Sequence, residues 1–374
     1  ALSVDRTEHA ALPLEVVDGA LPADLAGHLF VVAPAGTVNP PPRRGRPTVM
    51  LGDGLVCRFD LGPDGVTLTS RLARTADFLA DELTARDPEL SSLRFFDSGL
   101  ARLGLLGARN FANTAFVPMP RPGRPTRLLL TFDAGHPVEI DPRTLAVLGP
   151  LGGRDVWRAE VFADAAFPLV LSPAHPAYDP RSGELFTVNY GRGVANVAAT
   201  VPAVHLLARL PGWLEAFLDR AAGVIGVEAA FRWAARHLER ISTRLDRALE
   251  AFVDQALPGV PDTFTDLVRW DGEARFDRYR LVLPDGDEVA IRQSVHQVAV
   301  TREHVVVLET GFKIGLQSGF NDPVPHADAV DRLLRALVTR PQLPYTAFYV
   351  VARAALDDPT LPLGDDGVRR VPSR

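Results

Sequence analysis

The sequence predicts an all-β protein, a β-propeller with a helical cap inserted in it, and three observations lead there. Short apolar or alternating runs of strand length recur along most of the chain, turn signals of one repeating type separate them, and a single stretch of helical periodicity interrupts them. Alternation at a period of two marks half-buried strands, whereas recurrence at three and four marks one face of a helix. Hairpins spread through most of 374 residues suit a propeller better than a sandwich, which seldom needs so many strands. The chain is therefore read as one unit over 1–374, with the insertion at 202–257.

Across 21–200 the strand candidates are Leu29-Phe-Val-Val32, Val56-Cys-Arg-Phe-Asp60, Arg127-Leu-Leu-Leu-Thr-Phe132 and Leu185-Phe-Thr-Val-Asn-Tyr190, and little in this part reads as helix. Between them lie Gly62-Pro-Asp-Gly65, Asp141-Pro-Arg-Thr144 and Asp179-Pro-Arg-Ser-Gly183. Proline fixes φ, aspartate bonds its own backbone and glycine supplies positive φ, so each is a chain reversal with a mechanism. Over 202–257 the pattern turns helical, as in Trp213-Leu-Glu-Ala-Phe-Leu-Asp-Arg220 and Phe231-Arg-Trp-Ala-Ala-Arg-His-Leu-Glu-Arg240. Hairpins then resume with Leu267-Val-Arg-Trp270, Arg278-Tyr-Arg-Leu-Val-Leu283 and Val305-Val-Val-Leu308. A short arginine-bearing helix is expected at 328–337, then the strand Tyr345-Thr-Ala-Phe-Tyr-Val-Val351 and a polar tail at 364–374.

Composition removes several function classes. Forty basic residues against 46 acidic ones, with no basic run, leave no concentrated positive face for a phosphate backbone, so nucleic acid is not an expected partner. One cysteine, Cys57, excludes an internal disulfide framework and a cysteine-based zinc site and fits a reducing, cytoplasmic setting. No charge-free apolar run approaches the roughly 20 residues of a membrane span. Phosphate-binding, dinucleotide-binding, serine-elbow and zinc-helix motifs are all missing.

What remains is a set of nine histidines, none grouped at metal-site spacing on one helix. His175, in Ser172-Pro-Ala-His-Pro176, is stiffened by two prolines at the start of an expected blade. His296, in Gln293-Ser-Val-His-Gln-Val-Ala-Val-Thr301, is polar inside an apolar strand. Strands of different blades converge on a propeller's axis, so the two could meet on one ion; the plain alternative for each is a buried histidine satisfied by a backbone carbonyl.

Several blocks together resemble the carotenoid cleavage oxygenase family: Leu21-Pro-Ala-Asp-Leu-Ala-Gly27, Gly52-Asp-Gly-Leu-Val-Cys-Arg-Phe59, Asn113-Thr114, the 128–149 block with Gly135-His-Pro137, Ala174-His-Pro-Ala-Tyr-Asp-Pro-Arg-Ser-Gly183 and Val295-His-Gln-Val-Ala-Val-Thr301. The resemblance implies a seven-bladed propeller, incomplete in this chain, with a non-haem Fe(II) on its axis. It also implies a dioxygenase that cleaves a conjugated C=C bond of a carotenoid, apocarotenoid or stilbene-like substrate with O2. Carried over residue by residue, His175 and His296 match the first two of four iron-binding histidines, and the remaining two would fall near or past Arg374. His304 and His326 lack the family's surroundings and are read as solvated. Asp133 matches a carboxylate that accepts a ring N–H from a ligating histidine. It is one methylene shorter than the family's glutamate, which predicts a less direct or water-mediated reach; a turn aspartate before Gly135 is the alternative. The partners implied are a hydrophobic polyene or stilbene-like molecule and O2. The apolar stripe over 206–218 is read as packing on its own protein above a substrate tunnel, with peripheral membrane contact as the sharper alternative. The other functional reading is an incomplete propeller that binds a hydrophobic ligand without turnover.

Overall fold

A computed structural model describes residues 6–38, 52–63, 65–98, 101–160, 162–193, 263–311 and 344–374. The cap expected at 202–257, the short helix expected at 328–337, and His205, His237 and His326 lie outside the described residues. The first sheet holds β1 (His9–Leu14), β2 (Gly27–Pro34), β3 (Gly54–Gly62) and β4 (Gly65–Leu72) in the order β1-β4-β3-β2. A helix, α1 (Ala76–Arg86), and a small sheet of β5 (Phe96–Ser98), β6 (Ala101–Gly104) and β7 (Gly107–Ala108) follow. The second sheet is the meander β8 (Ala115–Arg121), β9 (Arg124–Thr131), β10 (Val138–Ile140) and β11 (Val147–Pro150). The third starts β12 (Ala177–Asp179), β13 (Glu184–Gly191), β14 (Phe264–Trp270), β15 (Phe276–Val282), and the fourth is β16 (Ser294–Val300), β17 (His304–Thr310) and β18 (Ala347–Ala352).

The reversals form as their residues dictate. The Asp141 carboxylate accepts the backbone N–H groups of Arg143 and Thr144 at 2.7 and 2.8 Å, closing the β10–β11 hairpin. Asp179 does the same for Arg181 at 3.0 Å, and Gly183 completes the β12–β13 turn at φ 75°, a conformation that costs a side chain and costs glycine little.

The four larger sheets stack face to face in series. Val56 of β3 packs on Leu128, Leu130 and Ile140 of the second sheet; Val117 and Leu129 pack on Leu185 and Trp270 of the third; Phe186 and Leu281 pack on Val298, Val305 and Val307 of the fourth. Each such fully buried side chain contributes about 1.5–3 kcal/mol. The edge strands touch in the same series, β2 on β8, β8 on β12 and β12 on β16, which makes one continuous rim along one side of the stack. Among the described residues the second and third sheets have a sheet against each face and the fourth has one against a single face, while the first has the second sheet on one face and α1 against part of the other, where Leu55 and Leu72 pack on Phe78.

Three local expectations are corrected. The segment after β4 is helical: Thr75 accepts the Phe78 N–H at its start, Asp77 sits in its first turn and Arg86 in its last, which suits the helix dipole. The polar tail contains a strand, β19 (Arg369–Pro372), which pairs in parallel with β15 as the third sheet's outer member. His304, expected at a solvated turn, is half-buried as the first residue of β17.

Helix α1 is fastened by buried ion pairs. Arg109 binds Asp77 and Asp81 of α1 and Asp53 of the loop before β3, while Arg102 binds Asp81 at 2.6 Å and Asp97 at 2.7 Å. Burial pushes the Asp53 carboxyl up, against the pull of Arg109 and Arg6. Among the described residues no helix is long and apolar enough to cross a membrane.

Candidate metal centre

Three segments distant in sequence meet at the rim. Asp133 follows β9, His175 precedes β12, and His296 lies on β16. The first two segments are stitched together by hydroxyls and backbone. Thr131 donates to the Ala174 carbonyl at 2.5 Å, Ser172 donates to the Gly135 carbonyl at 2.6 Å, and the Ser172 N–H donates to the Asp133 carbonyl at 3.1 Å. His175 then joins β16 directly: its N–H donates to the His296 carbonyl at 3.1 Å and its carbonyl accepts the Val298 N–H at 3.0 Å. Both backbones are thus fixed before either ring is considered.

His296 occupies a bulge. The pairing of β16 with β17 shifts register between Val295 and Gln297, so His296 has no partner opposite it on β17. Bulges re-aim side chains, and here the ring turns toward His175. The two ring centroids lie 4.8 Å apart at an interplanar angle of 81°. Asp133 reaches His296 without an intermediary: its Oδ1 stands 2.7 Å from Nδ1, against the less direct reach that its shorter side chain predicted. The same oxygen accepts the Ala174 N–H at 3.3 Å.

The electrostatics follow from these contacts. The hydrogen bond to Asp133 pushes the His296 imidazole up, outweighing burial. Burial pushes His175 down, and a positive charge on His296 would push it the same way. With Nδ1 of His296 donating to Asp133, Nε2 keeps its lone pair, the tautomer a metal requires. Behind them Tyr190, fully buried on β13, meets the backbone of Val295, and burial pushes its hydroxyl well up.

His175, His296 and Asp133 are therefore brought together; His304, at the far end of the β16–β17 hairpin, is not. Among the described residues no group of three or more histidine, cysteine or carboxylate side chains is placed to hold a metal ion. The two imidazoles fit as part of a donor set, with Asp133 committed to a ring nitrogen. Thr131 and Ser172, which fasten the site, escaped the sequence reading; a hydroxyl within the apolar run 128–132 was the available signal for Thr131.

A family model described as retinal pigment epithelial membrane protein matches residues 2–205. No curated protein matches in sequence. Among solved structures, the lignostilbene dioxygenase of Pseudomonas brassicacearum superposes with a TM-score of 0.50 at 20% identity, over 93% of this chain and 51% of that one. A mutant of the Synechocystis apocarotenoid oxygenase gives 0.46 at 14% identity, over 94% of this chain and 55% of that one. The chain spans about half the length of these solved structures. With the family model covering more than half of its residues, the chain belongs to the retinal pigment epithelial membrane protein family, that of the carotenoid cleavage oxygenases.

Proposed function

We propose that this chain is the metal-bearing part of a non-haem Fe(II) oxygenase that cleaves a conjugated C=C bond of a carotenoid, apocarotenoid or stilbene-like molecule. One observation carries the reading: two imidazoles fixed edge to face, one of them with its outer nitrogen held by a carboxylate. The stacked meander sheets and the rim of edge strands support a propeller, seven-bladed in the family, with 202–257 as its cap and 1–374 as one unit. The domain assignment rests on the resemblance.

His175 and His296 would hold the ion. When bound, Fe(II) on neutral imidazoles keeps its full charge and supplies open positions for O2 beside an electron-rich alkene. The chain's own residues prepare that chemistry. Asp133 retains the proton on Nδ1 of His296, so the lone pair of Nε2 is not lost to tautomerisation. Burial favours neutral His175, which leaves it a lone pair to donate. The paired backbones of His175 and His296 keep the two donors from drifting apart. The overall reaction adds the two atoms of O2 across one double bond, and two carbonyl compounds leave.

The test incubates Fe(II)-loaded protein with a hydroxylated stilbene and with an apocarotenal, and analyses the products by mass spectrometry under 18O2. Two carbonyl fragments that incorporate label support the reading, and unchanged substrate with both compounds contradicts it. A second reading is a propeller that binds a hydrophobic molecule without turnover. Polyene binding by metal-free protein, with no product under any iron loading, would select that reading.

A further inference from the structure

Strand β16 brings to one face two core residues that a regular strand would hold apart. Val295 and Val298 both pack between the third and fourth sheets, yet they stand three positions apart, and side chains of a regular strand share a face only at even spacing. The bulge at His296 reconciles them. Val295 opposes Glu309 before it, and Val298 opposes Val307 after it, and directly opposed residues lie on the same side of the sheet. Without the extra residue, the pairing carried back from Val298 and Gln297 would set His296 opposite Glu309 on the core side and turn Val295 outward. The same residues therefore admit two registers, and it is in the bulged one that His296 meets Asp133.

Glu309 tells the two registers apart. It is 2% exposed, on the side of β17 that also carries Val305 and Val307. Its Oε1 accepts the backbone N–H groups of Arg292 and Gln293, each at 2.6 Å, and its Oε2 accepts the Tyr349 hydroxyl at 3.1 Å. The first two bonds grip the residues that lead into β16. A slip to the regular register would carry those N–H groups roughly 3.3 Å along the strand, away from Oε1. A buried carboxylate would then be short of donors, a state that costs far more than the same group left in water. Tyr190 holds the same point from the third sheet: it is 1% exposed, and its hydroxyl meets the backbone of Val295, the residue before the bulge.

We propose that Glu309 is a positioning residue for the metal centre: its buried carboxylate, with the Tyr190 hydroxyl as a second hold, selects the bulged register and so aims His296 at Asp133 and His175. Glu309 acts through the strand that carries His296. A charged residue at an inward position of the apolar run 305–309 is otherwise hard to account for, since an apolar side chain there would pack without any need for three donors. The proposal rests on the iron reading only where it concerns the ion; the aim of the ring is a property of the metal-free protein.

The experiment uses metal-free protein labelled at histidine, with NMR reading the His296 titration and the contact between the His175 and His296 rings. Anaerobic Fe(II) binding and denaturant unfolding follow on the same samples. Glu309→Gln keeps the shape but turns an amide N–H towards groups that are themselves donors. It should erase the ring contact, lower the His296 pKa because the bond to Asp133 that raises it is lost, and weaken iron binding about 10–100-fold. Tyr190→Phe removes only a hydroxyl; it should move all three in the same direction by less, and it decides the question if Glu309→Gln does not fold. Tyr279→Phe is the control, taking from the same core a hydroxyl that donates to the Leu356 carbonyl at 2.8 Å. It should lower stability and leave His296 as it is, which is also how Glu309→Gln would behave if Glu309 merely supported the fold. Wild-type titration and ring contact in folded Glu309→Gln and Tyr190→Phe overturn the proposal, as does an equal disturbance in Tyr279→Phe. Iron separates the two readings: a wild type that holds none, with His296 re-aimed in the variants, removes the oxygenase reading and keeps this one, whereas tight iron in wild type and in both variants does the reverse.

Discussion

Arg109 and His296 are both held by aspartates at places where the chain brings distant segments together, yet the two sites have opposite characters. Arg109 is shut in, its guanidinium shared among Asp53, Asp77 and Asp81. Each of its three nitrogens has a carboxylate acceptor, so the cluster fixes α1 and the loop before β3. His296 gives one nitrogen to Asp133, and His175 stands beside it with its backbone paired to β16, its ring edge-on to His296 and, among the described residues, without a hydrogen bond. Polar groups whose bonding capacity is used up hold a fold together, whereas those fixed on one side and open on the other are equipped for chemistry.

The contrast breaks most sharply at Arg109. Arg109→Met removes the cation and leaves three buried carboxylates facing one another, which should cost about 3–5 kcal/mol in denaturant unfolding. Iron affinity, measured on whatever fraction remains folded, should be unchanged. The complementary substitutions His175→Ala and His296→Ala should abolish iron binding while shifting unfolding by less than about 1.5 kcal/mol, since both rings are only partly buried. Asp133→Asn is subtler. The amide oxygen can still accept from Nδ1, so folding should hold, but loss of the charge should weaken iron binding by about 10–100-fold. It should also lower the His296 pKa, followed by NMR titration of the metal-free protein.

The smallest effect belongs to Asp179. Burial alone would raise its carboxyl, but the Arg181 N–H and the Arg353 guanidinium, 2.5 Å away, together hold it below the usual carboxylate range. A carboxyl depressed in the folded state contributes stability above its unfolded pKa and loses it as pH falls through the folded value. Asp179→Asn should therefore cost about 1 kcal/mol at neutral pH and nothing in strong acid, read from unfolding curves across the acid range.

Much of this was legible in the residues, for reasons that differ from place to place. The Asp-Pro-Arg turns at 141 and 179 announced their hairpins because the signal is local: side chain and backbone lie within four residues. The short β-branched apolar run at 305–308 marked β17 for the same reason. His175 and His296 could be singled out, but their meeting could not be derived from spacing, since it depends on a one-residue bridge between segments some 120 residues apart and on a bulge that pairing with β17 alone creates. Helix α1 was missed although Thr75, Asp77 and Arg86 mark its ends, because its surroundings alternate like strands. β19 was missed because a four-residue strand in a polar tail has no periodicity of its own; its pairing with β15 supplies it.

The most direct measurement is the iron retained per chain after anaerobic loading with Fe(II) and gel filtration, for wild type and for His175→Ala and His296→Ala. The account predicts tightly held iron in the wild type and none in either variant, with unfolding midpoints close to one another. Iron retained by both variants, or none held by well-folded wild type, would contradict it.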